Sequence, residues 1–205
     1  MEIPSDADAV RMHILTAREE KLYFERAAQY PDLHDLGRVM ILQGMRPEEV
    51  TALAKCDVFV ERAQLQVRQG KTPAARRLLN LTTESRRILA ARMAGDSPWI
   101  FPSKRNPGKH VGRLNSAHDR LCEEAKADGI SFDFVIYDFR HTWATRTAES
   151  GFDLSSLASM LGHSSLRMVQ KYVHPTAEHQ RALMQKYDRI LLAAEALENN
   201  ATKTN

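Results

Sequence analysis

With 205 residues and 43% apolar content, the chain is long enough to build one domain with a core of its own and a small appendage. No apolar run approaches a membrane span, the acidic start MEIPSDADAV has no signal-peptide core, and Cys56 and Cys122 are isolated, so membrane, secreted and disulfide-built classes are excluded and a reduced, cytoplasmic protein is expected. The net charge of +3 is modest but unevenly spread: residues 1–61 sum to −5, residues 68–92 to +6 and residues 104–120 to +4, and a base-rich middle of this kind is where a phosphate backbone would lie.

Residues 1–14 read as a lead or linker, and Thr16-Ala17-Arg18-Glu19 as a capping box opening a helix that Tyr30-Pro31 closes. A second helix is predicted from Pro31 to Gln43, with Leu33, Leu36, Val39, Met40 and Leu42 on or near its buried side. Gly44 then turns the chain and Pro47 suits the first position of a short helix with Glu48 and Glu49 in its first turn, so Arg46 is delivered immediately ahead of a helix. From Asp57 the apolar period changes to two, and DVFVERAQLQV and RRLLNL read as three short strands with turns at Glu61-Arg62 and from Gly70 to Ala75. Helices follow at Thr83–Ala94 and Arg113–Ala127. The Pro- and Gly-rich loop between them carries Lys104, Arg105, Lys109 and His110; with Arg68, Arg76 and Arg77, its three bases are the candidate contacts to a nucleic-acid backbone.

Asp138 suits an N-cap, which places Arg140 in the first turn of a helix, where the dipole favours an anion. A further helix begins near Asp153 and ends with Gly162 at its C′ position, so His163 emerges from a sharp corner. Residues 177–197 read as a final helix with Leu183, Met184, Tyr187, Ile190, Leu191 and Ala194 at helical spacing, and the polar end at 198–205 reads as disordered. The fold class is mostly helical α+β with a small three-stranded antiparallel sheet.

The stretch 137–174 carries an Arg, a His and a Tyr in a chemically suggestive order: Arg140, then Leu161-Gly162-His163, then Tyr172 nine residues beyond His163. Taken singly, each has an ordinary reading as a surface, corner or packing residue. Together they supply what phosphoryl transfer needs, since fixed cations and donors hold the oxygens on which charge spreads and a hydroxyl can attack and hold the phosphate covalently. His110, His118, His141, His174 and His179 show no metal-ligand spacing.

This order resembles the C-terminal signature of the tyrosine recombinase (phage integrase) family, written H-x-x-R, an L-G-H turn and a Tyr nine residues on; Tyr137 stands where the family usually has His. Gln43-Gly44-Met45-Arg46 resembles the family's first box, with Gln43 in place of the usual Thr, and Gln69-Gly70-Lys71-Thr72 resembles its β-hairpin lysine turn. The likeness places a catalytic domain at 15–176, followed by the final helix and the tail. The helical N-terminal domain that usually closes the clamp around DNA has no counterpart here, which suits either a fragment of a longer integrase or a short variant.

The resemblance implies a site-specific recombinase that cleaves and rejoins double-stranded DNA through a 3′-phosphotyrosyl intermediate. Tyr172 would be the nucleophile, Arg46, Arg140 and His163 would hold the non-bridging oxygens, Lys71 would protonate the leaving oxygen, and Tyr137 would sit where the usual His assists the nucleophile's proton. It also implies no cofactor, metal or ATP, action at the nucleoid, a homotetramer on DNA that is monomeric when free, and a final helix exchanged between protomers. Two alternatives remain open. A non-catalytic DNA-binding descendant is favoured by Tyr137 alone, and a type IB topoisomerase-like enzyme is disfavoured by the L-G-H-S-S context and the lack of an enclosing domain.

Overall fold

Residues 12–68, 70, 73–106, 108–173 and 177–202 are described by the computed structural model. Helix α1 (Ala17–Ala27) starts at the expected capping box: Glu19 N donates to the Thr16 hydroxyl at 3.2 Å and Thr16 N donates to the Glu19 carboxylate at 2.7 Å. Helix α2 (Pro31–Gln43) has Pro31 at its first turn and ends at Gly44, whose φ of 64° is the left-handed conformation that lets its N–H reach Met40 O at 2.8 Å. Helix α3 (Pro47–Thr51) follows at once, with Arg46 as its N-cap residue.

Strands β1 (Val58–Phe59), β2 (Gln64–Val67) and β3 (Arg77–Asn80) form one antiparallel sheet in the order β1-β2-β3, with Val58 opposite Leu65, Leu65 opposite Leu79 and Val67 opposite Arg77. The period of two holds: Leu65, Val67, Arg77 and Leu79 are buried while Leu78 and Asn80 are exposed. The remaining helices are α4 (Thr83–Ala91), α5 (Asn115–Ala127), α6 (Asp138–Glu149), α7 (Leu154–Leu161), α8 (Arg167–Gln170) and α9 (Ala177–Thr202).

Helix α2 is the axis of the packing, in contact with α1, α3, α4 and α6. Around it lies the larger core, which includes an aromatic group from α1 (Tyr23, Phe24), from the segment before α6 (Phe132, Phe134) and from α6 itself (Phe139). His118 is absorbed into it: one ring nitrogen meets Tyr23 Oη at 2.8 Å, the other meets Phe134 O at 2.9 Å, and burial pushes its pKa down. A second, smaller cluster joins α6 to α7 and α8 through Trp143, Leu157, Leu161, Val169 and Tyr172.

Three expectations change in detail. Asp138 is not the N-cap of α6; it is the first helical residue, and its carboxylate accepts the N–H groups of Val135 at 2.9 Å and His13 at 3.2 Å, so it ties down the incoming chain instead of closing the helix end. Helix α4 ends at Ala91 with Arg92 as its C-cap, and α5 starts at Asn115 because Leu114 lies outside helical geometry, so each is shorter than the expected Thr83–Ala94 and Arg113–Ala127. Helix α9 runs on to Thr202, into the stretch expected to be disordered, as propagation of an existing helix costs little per residue.

Among the described side chains of α9, the large apolar ones do not belong to either core. Leu183, Met184, Tyr187, Ile190 and Leu191 are between 41% and 59% exposed. Among the described residues no helix is long and apolar enough to cross a membrane. Since little apolar area on α9 is removed from water within the chain, deleting residues 177–205 should lower the melting temperature by less than about 4 °C, the equivalent of roughly 1 kcal/mol in a domain of this size. Thermal unfolding of the truncated chain checks this, and a large drop would mean that α9 belongs to the core.

Candidate active site

Arg140 is the largest fully buried side chain, at 0% exposure, and lies in the first turn of α6. Its guanidinium spans two helix ends. Nη1 donates to Gly44 O at 2.7 Å, after α2, and Nη2 donates to Leu161 O at 2.7 Å, at the end of α7. Both acceptors are neutral carbonyls, so the charge is held in place without being cancelled. Burial, then the charge of Arg46, pulls its pKa down to about 10, leaving it protonated at neutral pH.

Glu49 on α3 braces the neighbouring cations. Its carboxylate accepts from Arg46 Nη1 at 2.9 Å and from Arg77 Nη1 and Nη2 at 2.9 Å each, while Arg46 N donates to it at 2.9 Å. Burial alone would raise this carboxyl, but the Arg77 hydrogen bonds and charge, with the Arg46 amide, outweigh it and hold Glu49 below the usual carboxylate range. Arg46, with a quarter of its side chain in contact with solvent, also reaches Leu161 O at 3.4 Å. Two guanidiniums, those of Arg46 and Arg77, thus share one carboxylate, and that of Arg140 feels its charge without bonding it.

His163 emerges from the corner at Gly162, which caps α7 at φ 67°. Its Nε2 is 3.1 Å from Arg140 Nη2. A guanidinium only donates, so Nε2 is the acceptor and the ring hydrogen sits on Nδ1. Burial first, then Arg140, Arg46, Lys171 and Arg77, push the His163 pKa down to about 3, so the ring is neutral. Its Nδ1 and Arg140 Nε are both buried without a hydrogen-bond partner among the described residues. Two unmatched donors amid excess positive charge are suited to a bound oxyanion.

Tyr172, at 1% exposure, lies just beyond α8, and its hydroxyl is 3.0 Å from His141 Nδ1. His141 follows Arg140 directly on α6, so the same helical turn carries the buried guanidinium and the partner of the phenol. Tyr137, half-buried at the α6 N-terminus, stands edge-on to His141 at 5.0 Å between ring centroids. It lines a groove of about 500 Å³ together with Pro47, Thr51, His110 and Arg113.

Arg46, Arg140 and His163 are therefore brought together, and Tyr172 is reached through His141. Lys71 lies outside the described residues. Of the expected backbone contacts, Arg76, Lys104, Arg105 and Lys109 are exposed, and Arg68 remains largely exposed while pairing with Asp57. Arg77 differs: it is buried at 7%, with Nε donating to Met160 O at 2.6 Å behind the site. The alternation of β3 already placed it on the face of Leu79. Glu49 and His141 were missed as site residues; Glu49 carried only a helix-start signal, and His141 had no signal beyond adjacency to Arg140.

A cluster of this kind, with fixed positive charge and unmatched donors, can hold a tetrahedral oxyanion. The sequence model of the Phage integrase family matches residues 15–179, and the chain belongs to that family. Tyrosine recombinase XerA of Pyrococcus furiosus is 30% identical over 146 residues, covering 70% of this chain and 50% of its own. Tyrosine recombinase XerD of Agrobacterium fabrum is 27% identical over 198 residues, 91% of this chain and 55% of its own. The chain spans about half the length of these curated relatives. Among solved structures, the Tn1549 transposon integrase in complex with circular intermediate DNA has a TM-score of 0.72 at 19% identity, over 85% of this chain and 67% of that one. The XerA recombinase crystal structure has a TM-score of 0.68 at 22% identity, over 90% and 67%. The mostly helical fold with its small antiparallel sheet is that of the family.

Two outcomes follow from the geometry. A Cβ at Gly44 would lie 2.2 Å from a Trp143 ring carbon in a left-handed conformation, so Gly44→Ala should cost about 2–4 kcal/mol in a urea titration by displacing the indole and straining the turn. Wild-type stability in this variant would contradict the close approach. For His163, the folded pKa of about 3 lies below the ordinary 6.5, so the unfolded chain binds the proton more readily and stability falls as pH drops from about 6.5 towards 3. His163→Gln, which keeps an acceptor for Arg140, should therefore lose less melting temperature than the parent chain between pH 7 and pH 5; parallel curves would remove His163 from the acid response.

Proposed function

We propose that this chain is the catalytic domain of a site-specific recombinase that cleaves and rejoins double-stranded DNA. The observation that carries the reading is the buried excess of guanidinium over carboxylate around Arg140, with His163 against it and the Tyr172 hydroxyl held by the next residue on the same helix. Such a site has no charge balance of its own and acquires one when a phosphodiester enters.

In this reading Arg46, Arg140 and His163 hold the non-bridging oxygens of the scissile phosphate. Arg140 has an Nε–H still unmatched, and His163 offers Nδ1–H, so both can donate to oxygen as negative charge grows there. Tyr172 Oη attacks phosphorus, the bond to the 5′ oxygen breaks, and a 3′-phosphotyrosyl link remains; Lys71 gives the leaving oxygen its proton. The link conserves the phosphodiester, so the free 5′-hydroxyl of a partner strand can reverse the reaction without ATP or metal. Exposed Arg68, Arg76, Lys104, Arg105 and Lys109 would meet the DNA backbone and position it without reading sequence.

The exposed apolar stripe of α9 suits docking on a neighbouring protomer, giving a homotetramer on DNA from chains that are monomeric when free. The protein would act in the cytoplasm, at the nucleoid. A duplex nicked so that the released fragment diffuses away should trap a protein–DNA adduct on a denaturing gel. Tyr172→Phe removes one oxygen and should abolish the adduct while the fold survives. An adduct from the Phe variant would assign the nucleophile elsewhere, and no adduct from the unmodified chain would refute strand cleavage by it.

A further inference from the structure

The sequence pattern put Tyr137 in the place of the group that assists the nucleophile's proton, but the hydroxyl of Tyr172 meets a different residue. Its oxygen is 3.0 Å from His141 Nδ1, with the two rings 5.7 Å apart between centroids. Tyr137 is one ring further away, edge-on to His141 and facing the groove beside α3. We infer that His141, not Tyr137, is the base that takes the proton of Tyr172 as it attacks.

This rests on the strand-cleavage reading above and adds to it the destination of one proton. The chemistry favours imidazole. A neutral phenol still holds its own proton and is a very weak base, whereas an imidazole has a proton affinity suited to general-base work near neutral pH. The placement favours it too. His141 is 3% exposed and Tyr172 1% exposed, so bulk water has little access to the pair. Because His141 follows Arg140 on α6, a shift of the helix moves base and clamp together. Among the described residues, the titratable rings facing His141 are Tyr137 on its own helix and Tyr172 beyond α8.

The Oη–H bond of Tyr172 breaks and its proton passes to His141 Nδ1. Oη bonds to phosphorus, the bond from phosphorus to the 5′ oxygen breaks, and that oxygen leaves with a proton from the general acid. On rejoining, His141 returns its proton to Tyr172. Nδ1 must therefore be the unprotonated nitrogen before reaction, with the ring hydrogen on Nε2. Tyr137 acts as a positioning residue, its ring edge limiting how far the imidazole can rotate.

The first test needs no catalysis. Nitrogen NMR of the unmodified chain, with the His141 signal assigned by its displacement in Tyr172→Phe, should show Nδ1 without hydrogen; a hydrogen there would overturn the proposal. The second uses the nicked duplex in single turnover. His141→Asn keeps a hydrogen-bonding atom near Nδ1 but no base, and should slow adduct formation by about 10²-fold or more. Replacing Tyr172 by the more acidic 3-fluorotyrosine should restore part of that loss, which a merely structural defect would not allow. Tyr137→Phe should slow the reaction far less than His141→Asn. If His141→Asn stays within about threefold of the parent rate, the base role is wrong while cleavage stands. If the unmodified chain forms no adduct, the cleavage reading fails and His141 has no such proton to take. Should the Asn variant not fold, the NMR result on the unmodified chain decides alone.

Discussion

The clasp of Arg140 on the carbonyls of Gly44 and Leu161 is the interaction on which the structure depends, because it joins the ends of α2 and α7 to the start of α6 with one planar group. A buried cation ordinarily sits against a carboxylate, which cancels its charge and much of its desolvation penalty. Here carbonyl dipoles do the holding, and the nearest other charges include two more guanidiniums. The surrounding packing must therefore offset an arrangement that is electrostatically unfavourable until an anion arrives. Removing the guanidinium would leave the buried Gly44 carbonyl without its side-chain donor and Leu161 O with only the long bond from Arg46.

A second brace stands beside the first. Glu49 accepts from Arg46 ahead of α3 and from Arg77 on β3, so the small sheet is tied to the helix that presents Arg46. Arg77 also reaches Met160 O on α7. The edge of the sheet, the short helix and the corner carrying His163 are thus connected through two side chains, and none of the three can shift without disturbing the others.

What was legible in the sequence is what is local along the chain. The Thr16–Glu19 capping box, the left-handed turns at Gly44 and Gly162, and the Asp153 cap are all set by residues within a few positions of one another. The order of residue types grouped Arg140 with His163, and the family resemblance added Arg46, whose guanidinium shares the Leu161 carbonyl with that of Arg140. The alternation of β3 turns Arg77 inward while its charge favours the surface, and the conflict is resolved by Glu49 on α3 together with the Met160 and Ala75 carbonyls, partners that no local pattern names. The pairing of His141 with Tyr172 crosses 31 positions and two helices, so no local pattern could announce it. For α9 the apolar stripe was readable, yet a stripe states only that something covers it and not which surface does.

The unmatched donors and unbalanced guanidiniums around Arg140 have a bearing on how the free protein behaves in solution. Any solute that binds the native chain and not the unfolded one raises the unfolding free energy by mass action. Sulfate and inorganic phosphate have the charge and the oxygen acceptors that these donors lack, while chloride is single-atomed and weakly directional. With an oxyanion seated there, the resistance of the chain to unfolding would become partly a property of its buffer, and a phosphate medium and a chloride medium would hold, at this corner of the fold, two differently ligated proteins.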